Sequence, residues 1–234
     1  MRKVANDLEL EVRYLDNMVT VGKQLSLTTR RLLDRLDQLD KDLGSSVTDH
    51  KIFEDHARKY EKDFFDDLEA LGIRKPDVVT RVTEYVPQIV QFIQGIVDNG
   101  YAYESNGSVY FDTIEFKSKG YEYRKLKPGV ETTAEEMAEG EGALADGGGT
   151  EKKHRNDFAL WKTSKSGEPS WESPWGAGRP GWHIECSAMS ACSLGANFDI
   201  HGGGLDLVFP HHENEIAQSE AAHNCQYANV WMHN

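Results

Sequence analysis

The stretch FDIHGGGLDLVFPHHENEIAQSE, residues 198–220, decides the fold class. FDIH predicts a strand, the three glycines at 202–204 predict a tight turn, and the run after Pro210 predicts a helix. Before this stretch, WHIECSAMSACSLG predicts a helix that begins near Trp182 and is closed by Gly195. After it, YANVWMHN opens a new apolar run. This order of helix, strand, glycine turn, helix and strand predicts an α/β fold.

Upstream of this region, the hydrophobic periodicity predicts two helices and a hairpin. The first helix ends at Gly72 and carries its large apolar residues in one stripe: Phe53, Ala57, Tyr60, Phe64, Leu68 and Leu71. The second helix has Pro87 in its first turn, ends at Gly100 and buries Ile89, Ile93, Ile96 and Val97. Asn106-Gly107 lies between two short alternating segments and predicts a β-hairpin.

The composition bounds the class of protein. The chain has 234 residues, of which 38% are hydrophobic, so it can bury a core and form one large or two small domains. No apolar run approaches the roughly 18 residues of a membrane span, and the N-terminus lacks the pattern of a secretory signal. A net charge of −13 argues against a general nucleic-acid coat protein but allows a local basic patch. Three cysteines make a disulfide framework improbable and favour a reducing compartment.

Three residues suggest a metal site. His211 and Glu215 are four positions apart, so a helix places them on one face. Cys186, on the preceding predicted helix, would add a thiolate. Cysteine, histidine and carboxylate are all zinc ligands, and three of them leave one coordination position for water, substrate or a further protein ligand.

The same residues allow a purely structural explanation. HHENE beside Pro210 is also typical of a polar helix N-terminus, where Glu213 and Glu215 interact favourably with the helix dipole. Cys186 could be a small buried hydrophobic residue. His212 competes with His211 as a ligand, although position 216, four residues further on, is an isoleucine. Spacing alone leaves these alternatives open.

Two further motifs suggest a small-molecule site. Glycines at the carboxyl end of a strand let the backbone approach a nucleotide, and Asp206 could accept hydrogen bonds from a ribose, so Gly203, Gly204 and Asp206 are candidate ATP contacts. Trp182 and His183 could line a small-substrate pocket beside Cys186, or could equally be core residues. TSKSG, at 163–167, is similar to a phosphate-binding lysine loop, but its setting favours an exposed turn.

Two long stretches, residues 158–189 and 198–220, closely resemble the cysteinyl-tRNA synthetase family, which belongs to the class I aminoacyl-tRNA synthetases. The resemblance is strongest over 157–234. DVVTRVTEYVPQIVQFI and NGYAYESNGSVYFDT resemble the family's inserted acceptor-end domain in its eukaryotic cytosolic style, and the acidic segment 131–151 fits that style. Residues 1–17 are similar to the helix and strand that follow the family's first nucleotide-binding segment.

The resemblance implies a Rossmann-type catalytic domain with an inserted α+β acceptor-end domain. It implies an enzyme that joins L-cysteine to its tRNA through cysteinyl-adenylate, with ATP and Mg²⁺, as a cytoplasmic monomer. It further implies a Zn²⁺ ion that selects the substrate thiolate, held by Cys186, His211 and Glu215, with Trp182 and His183 beside the substrate. Zinc prefers a thiolate to a hydroxyl, which is consistent with rejection of serine.

The chain also departs from the family pattern. The HIGH and KMSKS motifs and a further zinc-ligating cysteine that precedes HIGH are absent, and Cys192 and Cys225 lie elsewhere in the pattern. Residues 19–46 do not match. We therefore expect an internal fragment, inactive in aminoacylation by itself because HIGH and KMSKS stabilise charge on the ATP phosphates. Two alternatives remain: a non-catalytic module that binds tRNA or cysteine, and a zinc hydrolase.

These observations divide the chain into three predicted regions. Residues 1–46 would be the remnant of the first Rossmann half. Residues 47–156 would hold a helical region and the inserted domain with its hairpin and acidic loop. Residues 157–234 would form the second Rossmann half with the metal site.

Overall fold

The structure, a computed structural model, describes residues 51–129 and 151–234. The predictions for residues 1–46 and for the acidic segment up to residue 150 lie outside the described residues. The chain divides into two compact units, Met1–Lys51 with Lys165–Glu168, and Ile52–Ser164 with Pro169–Asn234. The turn predicted for TSKSG is confirmed in the part that belongs to the first unit, because the N–H of Glu168 donates to the carbonyl of Lys165 (3.1 Å). Apart from Lys51, the helices and strands below belong to the second unit.

The described elements are helices and short strands. Their bounds are α1 Lys51–Ala70, α2 Val82–Asp98, β1 Ala102–Ser105, β2 Ser108–Phe111, α3 Thr113–Ser118, β3 Phe158–Thr163, β4 Gly178–Pro180, α4 Trp182–Leu194, β5 Phe198–Gly203, α5 Glu213–His223 and β6 Ala228–His233. A four-stranded antiparallel sheet has the order β1-β2-β3-β4. A second sheet pairs β5 with β6 in parallel.

The two predicted upstream helices are both present. In α1 the apolar stripe is largely exposed, with Tyr60 and Phe64 more than half accessible. In α2 Ile89, Ile93 and Ile96 are fully buried, as predicted, and the helix packs against α4 and α5. The prediction that Pro87 lies in the first turn is wrong, because α2 begins at Val82 and Pro87 lies inside it. One missing backbone N–H is tolerated at this depth of the helix, since the buried isoleucines fix it in place.

The hairpin prediction is confirmed in detail. Asn106 and Gly107 have φ values of +50° and +76°, as the two central residues of a type I′ turn require. β2 is buried along its whole length and pairs with β3. This sheet joins residues from both sides of the predicted boundary at 156/157, and the three-region division of the chain stays a prediction.

β5, α5 and β6 form a βαβ unit, which confirms the α/β fold class. The predicted glycine turn is wrong, because β5 continues through Gly203 and Gly202 pairs with Met232. None of the three glycines has a positive φ. One face of this parallel pair exposes Ile200, Val230 and Met232, whereas parallel strands are usually covered on both faces. No helix within 51–129 or 151–234 is both long and apolar enough to cross a membrane.

We expect the core to tolerate little truncation at α2. Ile93→Ala should lower the free energy of unfolding by about 2–5 kcal/mol, because Ile93 is fully buried and a cavity remains. Ile114→Ala, in α3, is the matched control: Ile114 is half exposed, and the change should be within about 0.5 kcal/mol. Urea denaturation of the two variants measures the difference, and equal losses would contradict the packing described above.

Candidate metal centre

The start of α4 is fixed against β3 by a glycine. The N–H of Gly181 donates to the carbonyl of Leu160 (2.9 Å), and a Cβ at Gly181 would collide with the carbonyl of Ala159. Only glycine permits this approach. α4 therefore begins directly on the sheet, with Trp182 in its first position and Cys186 one turn further on the same face.

The start of α5 follows a kink. Phe209 is extended (φ −142°, ψ 134°), residues 208–212 form a separate turn, and α5 begins at Glu213 rather than at the predicted Pro210. His211 and Glu215 nevertheless face the same side, with His211 Nε2 3.0 Å from Glu215 Oε1. Glu213 and Glu215 lie in the first turn of α5, as the interpretation of HHENE as a polar helix N-terminus requires, and residues 211–215 are all buried.

The predicted trio comes together. Ligand atoms of Cys186, His211 and Glu215 lie within 4.8 Å of one another. Glu215 Oε2 is already occupied, accepting hydrogen bonds from His201 Nε2 (2.8 Å) and the hydroxyl of Tyr227 (3.0 Å). Glu215 Oε1 is buried and has no aligned hydrogen-bond donor in the described part of the chain. A buried carboxylate oxygen without a donor is costly, so a cation beside Oε1 would stabilise it.

A second group, His201, His212 and Glu215, also brings ligand atoms within 4.8 Å. It is less suited to a metal because His201 already binds Oε2, and His212 Nδ1 lies 2.7 Å from His233 Nε2. The two groups share Glu215, and its free oxygen faces His211. The geometry therefore favours the group that contains Cys186.

His183 orients the His211 ring. Their Nδ1 atoms lie 2.9 Å apart, so one nitrogen donates and the other accepts. If His211 presents Nε2 to a metal, its Nδ1 carries the proton and donates it to His183. Metal-binding histidines commonly have such a partner on the other ring nitrogen, which fixes the tautomer.

The electrostatics of the cluster favour an anionic carboxylate. Burial alone would raise the pKa of Glu215, but the imidazoles of His201 and His211 lower the pKa to about 2. Burial, with smaller contributions from Glu215 and Glu185, raises the pKa of the Cys186 thiol. Burial lowers the pKa of His212 to about 4, so its ring is neutral near pH 7. Cys186 would thus have to release a proton to bind a metal ion.

The donor set suits zinc. A sulfur, an imidazole nitrogen and a carboxylate oxygen converge, and one of the oxygens lacks a donor. All three are common zinc ligands, and three ligands leave a position for a substrate. That these residues bind zinc stays a prediction.

The predicted substrate contacts lie next to the cluster. Trp182 is 42% exposed, and its ring centroid lies 4.2 Å from that of His211. His183 is buried beneath it. A cavity of about 290 Å³ opens on the other ligands and is lined by residues that include Cys186, Met189, His201, Glu215 and Tyr227. The cavity is large enough for a small amino acid.

The candidate ATP contacts lie at the carboxyl end of β5, whose last residue is Gly203. A Cβ at Gly203 would lie 2.7 Å from the ring of His212, and one at Gly204 would collide with the carboxylate of Asp206. The glycines therefore permit close packing rather than a positive φ. Asp206 itself is exposed. Their position at the carboxyl edge of a parallel pair suits a nucleotide, and this assignment stays a prediction.

Sequence reasoning missed His201 and Tyr227, which bind Glu215. His201 lies in β5 and Tyr227 immediately before β6, so no helical spacing connects them with Glu215. The position of His201 at the end of the strand before the glycines was the available signal.

Comparison with known families assigns the chain to a family of enzymes. The family described as tRNA synthetases class I (C) catalytic domain matches residues 2–234. The chain belongs to this family. Its α/β fold is thus that of a class I synthetase catalytic domain.

The curated relatives agree with this assignment. The chain is 59% identical to the cytoplasmic cysteine–tRNA ligase of Homo sapiens over 232 residues, which are 94% of this chain and 31% of the relative. It is 50% identical to that of Mus musculus, covering 94% of this chain and 28% of the relative. For Drosophila melanogaster the identity is 49%, over 95% of this chain and 31% of the relative. The chain therefore spans less than a third of the length of these relatives.

A methyl group at Gly203 should disturb the cluster. Gly203→Ala should lower the free energy of unfolding by about 1–3 kcal/mol, because the new Cβ overlaps His212, whose ring is held by His233. Gly202→Ala is the control, since its Cβ would lie 3.5 Å from the carbonyl oxygen of Met232 and 4.0 Å from its Cβ, both ordinary contacts. Chemical denaturation compares the two variants, and an equal effect would refute the close-packing role.

The hydroxyl of Tyr227 should matter for metal affinity. Tyr227→Phe removes one of the two donors to Glu215 Oε2. It also removes the hydrogen bond between the hydroxyls of Tyr227 and Ser190 (2.7 Å), but Ser190 still has the carbonyl of Ser187 as an acceptor. We expect zinc affinity to fall by about tenfold, as for other residues that orient a ligand. Competition with a chelator measures it, and Tyr60→Phe, on the exposed face of α1, should change nothing. An unchanged affinity in Tyr227→Phe would contradict this role.

Proposed function

We propose that this chain is the part of a cysteine–tRNA ligase that selects cysteine. The observation that carries the proposal is the convergence of Cys186, His211 and Glu215, with a buried, donor-free oxygen of Glu215 in their midst. The names of the relatives, all cytoplasmic cysteine–tRNA ligases, support the same substrate.

In this proposal the three residues hold a zinc ion. Bound there, the ion would supply a contact that favours the substrate thiolate over the hydroxyl of serine. Shape alone discriminates weakly between two groups of such similar size, so selection by bond type is effective.

The surrounding residues would orient the substrate. Trp182 presents a half-exposed ring beside His211 and would cover one side of the bound amino acid. His183 fixes the tautomer of His211 through the paired Nδ1 atoms. His201 and Tyr227 hold Glu215 Oε2, so that Oε1 stays directed at the metal position.

The remaining partners are those of the proposed reaction. ATP with Mg²⁺ would bind next to Gly203, Gly204 and Asp206, at the carboxyl end of β5. The tRNA for cysteine would be the acceptor. A cytoplasmic location, as in the names of the relatives, and a monomeric state complete the proposal.

Calorimetric titration of the zinc-loaded chain with L-cysteine tests the proposal. We expect cysteine to bind and serine not to bind under the same conditions, because zinc prefers sulfur. Cys186→Ala should abolish cysteine binding. Cys192→Ala is the matched control, because Cys192 is an exposed cysteine on the same helix and should leave binding unchanged.

Three results would overturn the proposal. The first is equal binding of cysteine and serine. The second is cysteine binding that survives in Cys186→Ala. The third is no cysteine binding by folded, zinc-loaded chain, which would favour a non-catalytic module, or a zinc hydrolase if ester hydrolysis dependent on Cys186 is detected.

A further inference from the structure

The segment from Lys117 to Lys127 concentrates positive charge. It contains five basic residues and one acidic residue, Glu122, in a chain whose net charge is −13. We call residues 117–127 the basic segment. Its positive charge contrasts with the negative net charge of the chain and would attract an anionic partner locally.

The basic segment lies along α5 and is fixed to it by side chains. The hydroxyl of Tyr123 donates to Asn214 Oδ1 (2.6 Å), and the hydroxyl of Tyr121 donates to Asn224. Lys125 Nζ lies 2.6 Å from both carboxylate oxygens of Glu220. The segment is thus held to the same helix that carries Glu215.

Glu213 fixes the backbone of the basic segment. Its buried carboxylate accepts hydrogen bonds from three consecutive N–H groups, those of Lys125 (2.9 Å), Leu126 and Lys127 (2.9 Å). Three N–H groups directed at one carboxylate form an anion-binding nest that a protein side chain already fills. The residue just before this nest, Arg124, is therefore held in one position.

Arg124 has an unusual backbone and an unused charge. Its φ of +82° lies in a region that costs a residue other than glycine about 1–3 kcal/mol, so its surroundings must impose it. Its guanidinium carbon lies 4.7 Å from the centroid of the Phe209 ring. Within the described ranges, the guanidinium has no carboxylate partner. The carboxylate of Glu213 binds the backbone N–H groups of the nest, and the carboxylate of Glu220 binds Lys125. A guanidinium held over an aromatic ring keeps its outer donors available.

Phe209 lies on the segment that connects β5 with α5. It precedes His211 by two residues, and the ammonium of Lys127 lies 5.9 Å from the centroid of the same ring. A phosphate oxygen is the anion that a guanidinium binds best, through two parallel hydrogen bonds.

We propose that Arg124, positioned by Glu213 and Phe209, binds a backbone phosphate of the RNA partner. The identity of the partner as RNA rests on the proposed function. Lys117 lies over Tyr123, and Lys119 lies over Tyr101 and 3.5 Å from Glu115. This spread of positive charge along the basic segment fits several phosphates better than a single nucleotide.

Binding of an RNA hairpin with a single-stranded 3′ tail to the full chain tests this, by fluorescence anisotropy at several salt concentrations. Arg124→Asn removes the guanidinium, and asparagine tolerates a positive φ. We expect about tenfold weaker binding at low salt and a slope of log affinity against log salt that is smaller by about 0.7–0.9, the value for one phosphate contact. Arg74→Asn is the control, because Arg74 is an exposed arginine already paired with Asp77 (2.9 Å), and its effect should be within error.

Glu213→Gln tests the positioning. A glutamine has one acceptor oxygen and would direct an amide donor at the N–H groups, so the position of Arg124 should be lost. We expect the same loss of RNA affinity as in Arg124→Asn and no further loss in the double variant, as for residues that act as one unit. Circular dichroism and zinc content report whether Glu213→Gln stays folded, and Arg124→Asn alone decides the proposal if it does not.

An unchanged affinity and salt slope in Arg124→Asn would overturn the proposal. Loss of ATP binding in a calorimetric titration of Arg124→Asn, with RNA binding intact, would also overturn it and assign the residue to the nucleotide. Cysteine titration distinguishes this from the proposed function, because Arg124→Asn should still bind cysteine. Failure of wild-type chain to bind cysteine would count against the proposed function and leave the RNA result standing.

Discussion

The structure depends on burying one polar helix. All residues of α5 from Glu213 to Ala221 are buried, and most of them are polar or charged. Each carboxylate taken out of water must find donors or a cation, since an unpaired buried charge costs several kcal/mol. Glu213 accepts hydrogen bonds from the backbone nest, and Glu220 is paired with Lys125. Glu215 accepts hydrogen bonds from His201 and Tyr227. The packing of the surrounding elements follows from these requirements.

The polar side chains of α5 have hydrogen-bond partners on two sides of the helix, so α5 connects two parts of the molecule. One side faces α4 and the cluster, where Ser187 also donates to Gln218 (2.7 Å). The other side faces the basic segment. Residues as close as Glu213 and Glu215 thus serve different purposes, one organising backbone donors and the other presenting an oxygen to a metal position. A shift of α5 would change both surroundings at once, since packed interiors do not deform gradually.

Local patterns in the sequence predicted the elements and the trio of candidate ligands. Asn106-Gly107 and the isoleucines of α2 follow rules that depend on neighbouring residues alone, and Cys186, His211 and Glu215 are confirmed to converge. The glycines at 202–204 were misinterpreted, because glycine serves both positive φ and close packing, and only the neighbouring His212 ring reveals which. The partnership of Glu213 with residues 125–127 was not predictable, since 86 or more positions separate its members.

The bare face of the parallel pair has a consequence for the behaviour of the chain in solution. Ile200, Val230 and Met232 form an apolar surface on strands that have no further strand beside them in the described residues. Such a surface favours self-association, and the surplus of 13 negative charges opposes it by repulsion between copies. Added salt screens this repulsion over about 10 Å at 0.1 M and leaves apolar attraction intact. The colloidal stability of the chain should therefore be greatest in dilute buffer.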